Sequence, residues 1–262
     1  MRHHTPIETY TIEGIPVDVK RDDLWPEPPY PPNAKMRGII PLLQHLAAQG
    51  IKHVGVFDTR LSEASWGVAI AAERIGMSVT AYYALTQYEP RSLKHVEHAG
   101  GKIAYVRHNV TPVCYQVAKR QAESQGIYML PFGLASEEAV NAVAEEVRAT
   151  IVPGKYKSVV ICSGSCTMLA GLVRGLLPHY PQFYSVSAGA GLKTQTKSLA
   201  RWLDFVPPIA WIPAQMDYYD RCDCECPFPA SRFYDCKAWK WLVGNIDRIE
   251  LPALFWNIGA ES

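Results

Sequence analysis

The chain has 262 residues, of which 48% are hydrophobic and 19% charged, a composition that excludes a disordered protein. Its 26 basic and 25 acidic residues leave a net charge of +1, so no overall positive field attracts nucleic acid or an anionic membrane. The uncharged apolar runs fall far short of the ~20 residues of a membrane-spanning helix, and the first residues, MRHHTPIETYTIEG, lack the apolar core expected of a signal peptide. Seven unevenly spread cysteines favour a reducing cytoplasm over a secreted disulfide framework.

Strand-like and helix-like segments alternate along the chain. An extended segment over 9–19 with a turn at Gly14 is followed by a proline-rich loop over 25–32. Hydrophobic and β-branched patterns predict strands over 52–57, 78–84, 102–106, 127–130, 157–162, 183–187, 209–212 and 252–256. Helical patterns, several of them ending at glycine, predict helices over 36–48, 62–76, 89–99, 112–125, 136–149, 166–176, 192–204 and 235–244.

This alternation predicts the fold class and the domains. Strands separated by helices of this length form βαβ units, so we expect an α/β protein with open, mostly parallel twisted sheets flanked by helices. The break near Pro153 and Gly154 is the best inner boundary. It predicts a smaller α/β domain over 36–150 and a larger domain made of 1–35 and 151–262.

One strand-to-helix loop has the composition of an anion site. In open α/β sheets, ligands bind beyond the carboxyl ends of the strands. The strand 157–162 is followed there by Ser163, Gly164, Ser165, Cys166 and Thr167. Small residues let an anion approach the backbone, and the next helix supplies free N–H groups and partial positive charge. The loop indicates a phosphate site, and a tight turn of small residues is the alternative.

Two other positions carry groups suited to catalysis. Lys35 stands where the proline-rich loop enters a helix, and a lysine amine at a buried helix start can act as a nucleophile. Tyr234 and Asp235 place a phenol beside a carboxylate, which can divide acid–base work from charge stabilisation. Taken alone, each has an ordinary alternative: an exposed lysine, and an aspartate that caps a helix after a packed tyrosine.

Together these segments resemble a known enzyme family. The motifs lie in one order along nearly the whole chain, at 19–24 with 33–37, at 163–167, at 234–238 and at 253–259. They are similar to the motifs of type II pyridoxal-phosphate enzymes of the aminocyclopropane-carboxylate deaminase and D-cysteine desulfhydrase family. The resemblance implies the tryptophan synthase β-like fold, called fold type II, and pyridoxal 5'-phosphate as the cofactor of the larger domain.

The resemblance also implies roles for single residues. Lys35 matches the Schiff-base lysine, which releases the cofactor to the substrate amine as an external aldimine. The loop 163–167 would bind the cofactor phosphate, and Asp235 would face the pyridine nitrogen and keep the ring protonated. Tyr234 would act on the substrate as acid, base or nucleophile. Tyr218 or Tyr219 matches, more loosely, the second active-site tyrosine of the family and would bind substrate.

The loop over 58–66 departs from the family pattern. It reads DTRLSEASW where the family has Gly-Gly-Ile-Gln-Ser-Asn and then His or Gln, Thr and Arg. Ser62 keeps the serine, and we expect it to take part in catalysis and substrate binding. Glu63 replaces the asparagine that touches the phenolic oxygen of the cofactor, and its charge would repel that oxygen unless it is protonated or turned away. Helix capping is the alternative for Glu63. Arg60 and Trp66 are candidate substrate-binding residues and favour a different, larger substrate.

A cysteine-rich segment replaces a longer stretch of the family. Cys222, Cys224 and Cys226 would share one face of an extended chain, about 7 Å apart in succession. With Cys236 they form a weak candidate for a four-thiolate zinc site. The spacing differs from the usual zinc pairs, so reduced thiols on a loop are the favoured interpretation and no metal is expected.

The resemblance implies a pyridoxal-phosphate-dependent lyase of the deaminase, desulfhydrase or decarboxylase type, which breaks a bond at Cα or Cβ of an amino-group substrate. One alternative is a decarboxylase of an aminoacyl-modified pyrimidine in bacteriophage DNA hypermodification, with nucleic acid as partner and the host cytoplasm as location. Another is an inactive cofactor-binding or scaffold protein, which Glu63 favours. Relatives imply a homodimer.

Overall fold

The computed structural model describes residues 4–108, 110–189 and 191–261. Their helices are α1 (Met36–Ala48), α2 (Ala64–Arg74), α3 (Leu93–His98), α4 (Thr111–Ser124), α5 (Glu137–Thr150), α6 (Thr167–Leu176), α7 (Leu192–Ala200) and α8 (Asp235–Val243). Their strands are β1 (Ile7–Ile12), β2 (Ile15–Arg21), β3 (His53–Asp58), β4 (Ser78–Ala84), β5 (Lys102–Val106), β6 (Tyr128–Met129), β7 (Ser158–Ser163), β8 (Gln182–Ser187), β9 (Ile209–Ile212) and β10 (Ala253–Asn257). The predicted α/β class is confirmed, and the largest differences from the predicted elements lie at the ends of α3 and α7.

The chain divides into two compact units. Unit 1 contains Met1–Glu27, Pro32–Ala34 and Ala139–Ser262, and unit 2 contains Pro28–Pro31 and Lys35–Glu138. The sequence placed the boundary near residue 150, whereas the structure divides the chain at the start of α5. Lys35, which the sequence assigned to the larger domain, belongs to unit 2.

Two glycines on α6 explain why α5 belongs to unit 1. A Cβ atom on Gly171 would lie 2.5 Å from the Cβ of Val143, and one on Gly175 would lie 2.5 Å from the Cβ of Val147. Because glycine has no side chain, α5 and α6 approach each other closely along this line. Both valines are buried in the same core as the strands of unit 1, and this apolar burial joins α5 to that unit.

The sheet of unit 1 has the strand order β1-β2-β10-β7-β8-β9 among the described residues. β1 and β2 form an antiparallel hairpin, and the remaining pairs are parallel. Every residue of β7 is buried, as expected for a parallel strand covered on both faces. Residues of α5, α6 and α7 pack on one face, and residues of α8 pack on the other.

The sheet of unit 2 has the order β5-β4-β3-β6 among the described residues, and its pairs are parallel. In each sheet the parallel strands therefore end at one edge, where the loops that lead into helices begin. In the part of the chain that the structure describes, no helix is both long and apolar enough to cross a membrane.

Candidate active site

The loop after β7 is open and leads into a helix start without a side-chain cap. α6 begins after Cys166, which adopts the left-handed conformation (φ 60°), and no side chain caps the helix. A non-glycine residue rarely adopts this conformation, so its presence at a loop that meets a ligand fits a functional constraint. Gly164 has nothing within 4 Å of the position where a Cβ would stand. The loop is thus open beside the positive end of the α6 dipole.

Hydroxyl groups line the same loop. The Oγ of Ser163 is buried and has no hydrogen-bond partner among the described residues, although an unsatisfied buried hydroxyl is costly. The Oγ of Ser165 and the Oγ1 of Thr167 lie 3.1 Å apart. Burial raises the pKa of the Cys166 thiol to about 12. Cys166 therefore contributes its backbone conformation to the loop, since its thiol stays neutral.

Asp235 begins α8 and is 1% exposed. Its two carboxyl oxygens accept hydrogen bonds from the backbone N–H groups of Ile258 (3.0 Å) and Gly259 (3.2 Å). Burial nevertheless raises the pKa of this carboxyl to about 7, against the lowering effect of the two N–H groups. A nearby cation would stabilise the ionised form of this carboxyl. The predicted position beside a protonated pyridine nitrogen would supply such a cation.

The same C-terminal residues hold the chain immediately before Lys35. The N–H of Ala34 donates to the carbonyl of Ile258 (2.8 Å), and Asn33 forms an isolated β-bridge with Gly259. Asp235 is therefore connected through residues 258–259 to the residues that precede the predicted Schiff-base lysine. The backbone of Lys35 itself enters α1, where its carbonyl accepts from the N–H groups of Gly38 and Ile39.

In unit 2, the loop after β3 binds its own carboxylate. Asp58 is buried, and its Oδ2 accepts from the N–H and the Oγ of Ser65, both at 2.8 Å, while its Oδ1 accepts from the N–H of Thr59 at 2.9 Å. The Ser65 hydroxyl continues to the Tyr83 hydroxyl (2.7 Å) and the Ser92 hydroxyl (2.8 Å).

Asp58 is a site residue that the sequence did not single out. Burial raises its pKa, and the hydrogen bonds and the positive charge of Lys35 oppose that rise. The sequence did contain a signal for Asp58, because a carboxylate stands where the resembling family has glycine. Its meaning depends on the burial of the side chain, which no local pattern gives.

Ser62 and Glu63 lie at the start of α2. The Oγ of Ser62 accepts from the N–H of Ala64 at 3.2 Å, so Ser62 caps the helix. Glu63 occupies the position before the helix but makes no side-chain cap. Its Oε1 lies 3.9 Å from the Nη2 of Arg91. The charge of Glu63 thus has a cationic neighbour within unit 2.

Arg60 and Trp66 are engaged by neighbours in unit 2. The Arg60 guanidinium lies 4.5 Å from the centre of the Tyr88 ring. Trp66 is buried and stacks on His95, with ring centres 3.8 Å apart. The stacking gives Trp66 a packing function, so its proposed contact with substrate has no support from this geometry.

The structure separates the two candidate tyrosines. The hydroxyl groups of Tyr218 and Tyr234 lie 2.6 Å apart, and their rings meet edge to face. Tyr219 is 47% exposed and contacts the Tyr218 ring from the side. Tyr218 is therefore the partner of Tyr234, a distinction that two adjacent tyrosines cannot show in sequence.

The cysteine-rich segment has no metal geometry. The Sγ of Cys236 donates to the carbonyl of Cys224 (3.0 Å), and the Sγ of Cys222 donates to the carbonyl of Cys236 (3.5 Å). In the described residues no group of three or more histidine, cysteine or acidic side chains is arranged to hold a metal ion. The zinc alternative therefore finds no support among the described residues, where the thiols of Cys222, Cys224 and Cys236 each lie against a backbone carbonyl.

Comparison with known proteins identifies the family. No family model matches the chain. The chain is 30% identical to the glycyl-dTMP PLP-dependent decarboxylase of Pseudomonas phage M6. The alignment covers 98% of this chain and 99% of the relative. The chain belongs to this family of pyridoxal-phosphate-dependent decarboxylases. It is an enzyme of the lyase class that uses pyridoxal phosphate and acts on an amino-group substrate.

Solved structures agree on the fold. An ACC deaminase homologue matches with a TM-score of 0.83 at 20% identity, covering 98% of this chain and 89% of that one. An O-acetylserine-dependent cystathionine beta-synthase from Helicobacter pylori matches with a TM-score of 0.69 at 14% identity, covering 98% and 92%. The fold is fold type II of the pyridoxal-phosphate enzymes.

The residues of unit 1 fit the cofactor. A phosphate would satisfy the buried Oγ of Ser163 and lie at the uncapped start of α6. A protonated pyridine nitrogen would stabilise the ionised form of Asp235, whose burial otherwise keeps its pKa high. Both groups lie beyond the carboxyl ends of strands or at a helix start, as the resemblance implies.

Proposed function

We propose that this protein removes CO2 from a glycyl group carried by a thymidine nucleotide. The observation that carries the proposal is the full-length match to the phage M6 glycyl-dTMP decarboxylase. The rewritten loop after β3 supports it. Asp58 and Glu63 stand where the resembling family has glycine and asparagine, so a substrate other than that family's free amino acids is expected.

The chemistry constrains the substrate. Pyridoxal phosphate supplies an electron sink for substrates that present a primary amine. Loss of CO2 also requires a free carboxylate. A glycyl group that keeps both must be joined to the pyrimidine side through its α-carbon. The reaction breaks the bond between that carbon and the carboxylate, and one proton replaces CO2 on the α-carbon.

We propose the following roles for the side chains. Lys35 binds the cofactor through its Nζ and can return a proton to the α-carbon. Loop 163–167 binds the phosphate group, and Asp235 balances the charge of the pyridine nitrogen. Tyr234, with its hydroxyl 2.6 Å from that of Tyr218, exchanges a proton with the substrate. Ser62 orients the start of α2 by accepting a hydrogen bond from the N–H of Ala64, and Glu63 lies at the same helix start.

The first test is the absorbance spectrum of the purified protein, with and without borohydride, beside Lys35→Ala. We expect a band at roughly 410–430 nm that reduction traps and that the variant lacks, since a lysine Schiff base absorbs there. Absence of the band in the wild-type protein with added pyridoxal phosphate would favour the inactive scaffold instead.

The second test is release of CO2. The protein is incubated with glycyl-dTMP as the free nucleotide, with DNA that contains it, and with glycine or alanine. We expect CO2 from the nucleotide or the DNA and none from the amino acids. Release from free amino acids alone would contradict the proposal. The two nucleotide arms also decide whether nucleic acid is a partner.

Assembly and location remain proposals. The family resemblance supports a homodimer, and light scattering during size-exclusion chromatography tests it, with a monomer as the contrary result. The cysteine composition and the phage relative favour a cytoplasmic location in the host. Fractionation of cells that express the protein tests this.

A further inference from the structure

Lys237 is a buried cation that the proposed reaction does not use. It lies in the first turn of α8 and is 7% exposed. Burial lowers its pKa. Since burying an ammonium group costs free energy, its position calls for a compensating contact.

The contacts of Lys237 are backbone carbonyls. Its Nζ donates to the carbonyl of Asp217 at 2.7 Å and to that of Tyr218 at 3.3 Å. Both carbonyls belong to residues 213–234, which form no helix or strand between β9 and α8. A hydrogen bond from a charged donor is stronger than a neutral one. Lys237 therefore fixes the backbone of a segment that regular structure does not hold.

Within this segment, the Tyr218 side chain extends from Gly189 to the hydroxyl of Tyr234. A Cβ atom on Gly189, where φ is +136°, would lie 2.9 Å from the Cβ of Tyr218, so the missing side chain leaves room for the tyrosine. At its other end, the Tyr218 hydroxyl lies 2.6 Å from that of Tyr234. The position of the hydroxyl depends on the backbone of residues 217–218.

Tyr234 and Lys237 come from one helix start. Tyr234 directly precedes α8, and the N–H of Lys237 in the first turn donates to the carbonyl of Tyr234 at 3.0 Å. The start of α8 thus supplies both the Tyr234 phenol and the Lys237 ammonium group, which holds the backbone of Tyr218.

We propose that Lys237 is a positioning residue that sets the Tyr218 hydroxyl against the Tyr234 hydroxyl by holding the carbonyls of residues 217 and 218. This inference rests on the role of Tyr234 in the proposed function, but the geometry of the tyrosine pair can be measured without the reaction.

The test uses the full chain labelled with [ζ-¹³C]tyrosine. The signals of Tyr218 and Tyr234 are assigned with Tyr218→Phe and Tyr234→Phe. Lys237→Met keeps the aliphatic stem and removes the donors, and Lys240→Met, one turn along the exposed side, is the control. We expect both tyrosine signals to move in Lys237→Met and neither to move in Lys240→Met. Unchanged signals in Lys237→Met would overturn the inference.

A double-mutant cycle separates positioning from general destabilisation. With the decarboxylation assay, we expect Lys237→Met and Tyr218→Phe each to lower kcat about tenfold, and the double variant to be no slower than either, because neighbouring residues that act as one unit are not additive. Lys237→Arg should restore part of kcat. Fully additive losses would overturn the inference. If wild-type protein shows no decarboxylation, the proposed function fails while the NMR result still decides the role of Lys237.

Discussion

Two of the loops that carry predicted site residues differ in how their polar groups are satisfied. Loop 163–167 after β7 has a buried hydroxyl without a partner among the described residues and a helix start without a side-chain cap. The loop after β3 uses its own carboxylate, Asp58, to bind its backbone and serines. The first loop leaves polar groups that a ligand from outside the chain could satisfy. The second satisfies its polar groups within the chain and so holds its shape by itself.

The largest expected effect concerns Asp235 in unit 1. Its pKa rises from 3.8 unfolded to about 7 folded, so the folded state binds the proton more tightly. Its contribution to stability is complete below pH 4 and is lost as the pH rises through 7. At 1.36 kcal/mol per pKa unit this amounts to roughly 4 kcal/mol at most.

Urea unfolding of the cofactor-free protein between pH 4 and 8 measures this effect. Asp235→Asn should show a flatter dependence than the wild-type protein, because it lacks the titrating group. Adding pyridoxal phosphate should flatten the wild-type curve. Parallel curves for the two proteins would show that the Asp235 carboxyl is already ionised in the folded state.

A carboxylate placed in the open loop should abolish its preference for anions. Gly164→Asp meets no atom within 4 Å of the new Cβ, so folding should be unaffected. Repulsion of the cofactor phosphate should raise the Kd for pyridoxal phosphate about 100-fold. Gly164→Ala is the control and should bind within a factor of about two. Equal binding by both variants would place the phosphate elsewhere.

In the loop after β3, which Asp58 holds together, the expected effect of a substitution is a loss of stability. Asp58→Asn puts an amide group against donors from Thr59 and Ser65 and should lower the free energy of unfolding by about 2 kcal/mol. The urea midpoint measures the loss. Asp223→Asn, a surface carboxylate paired with Lys240, is the control and should change it little. A stable Asp58→Asn protein would mean that the loop does not depend on its carboxylate.

The smallest effect is expected at Glu63. Its oxygen lies 3.9 Å from the guanidinium of the partly exposed Arg91, and pairs open to solvent contribute at most about 1 kcal/mol. Glu63→Gln should therefore leave the melting temperature nearly unchanged. A marked change in the cofactor spectrum of this variant would show that the Glu63 charge reaches the cofactor after all.

The sequence predicted most of the fold because the local signals agree. Glycines end several helices, β7 is apolar from Val159 to Cys162, and the strands alternate with helices, so the α/β class and the element order could be predicted. The unit boundary could not, because it depends on Gly171 and Gly175, which allow α5 to approach α6. Nothing local distinguishes a glycine that permits close packing from one that merely occurs in a helix.

The sequence could propose candidate site residues where motifs are contiguous. The loop 163–167 and the pair of Tyr234 and Asp235 are short runs whose residue types indicate their chemistry. The choice of Tyr218 over Tyr219 and the contacts of buried Lys237 depend on segments that are distant in sequence. These required coordinates, because hydrogen bonds across 16 or more residues leave no periodic trace.

The place of β10 in its sheet has a consequence for synthesis. β10 lies between β2 and β7, in the middle of a sheet whose other strands all precede it in the chain. The ribosome therefore synthesises all the remaining strands of unit 1 before β10, the strand that joins them. Residues 258–259, which hold Asp235 and the backbone before Lys35, are made even later. We expect nascent chains that stop short of residue 253 to fail to capture the cofactor, so that its yellow colour marks a fully translated sheet.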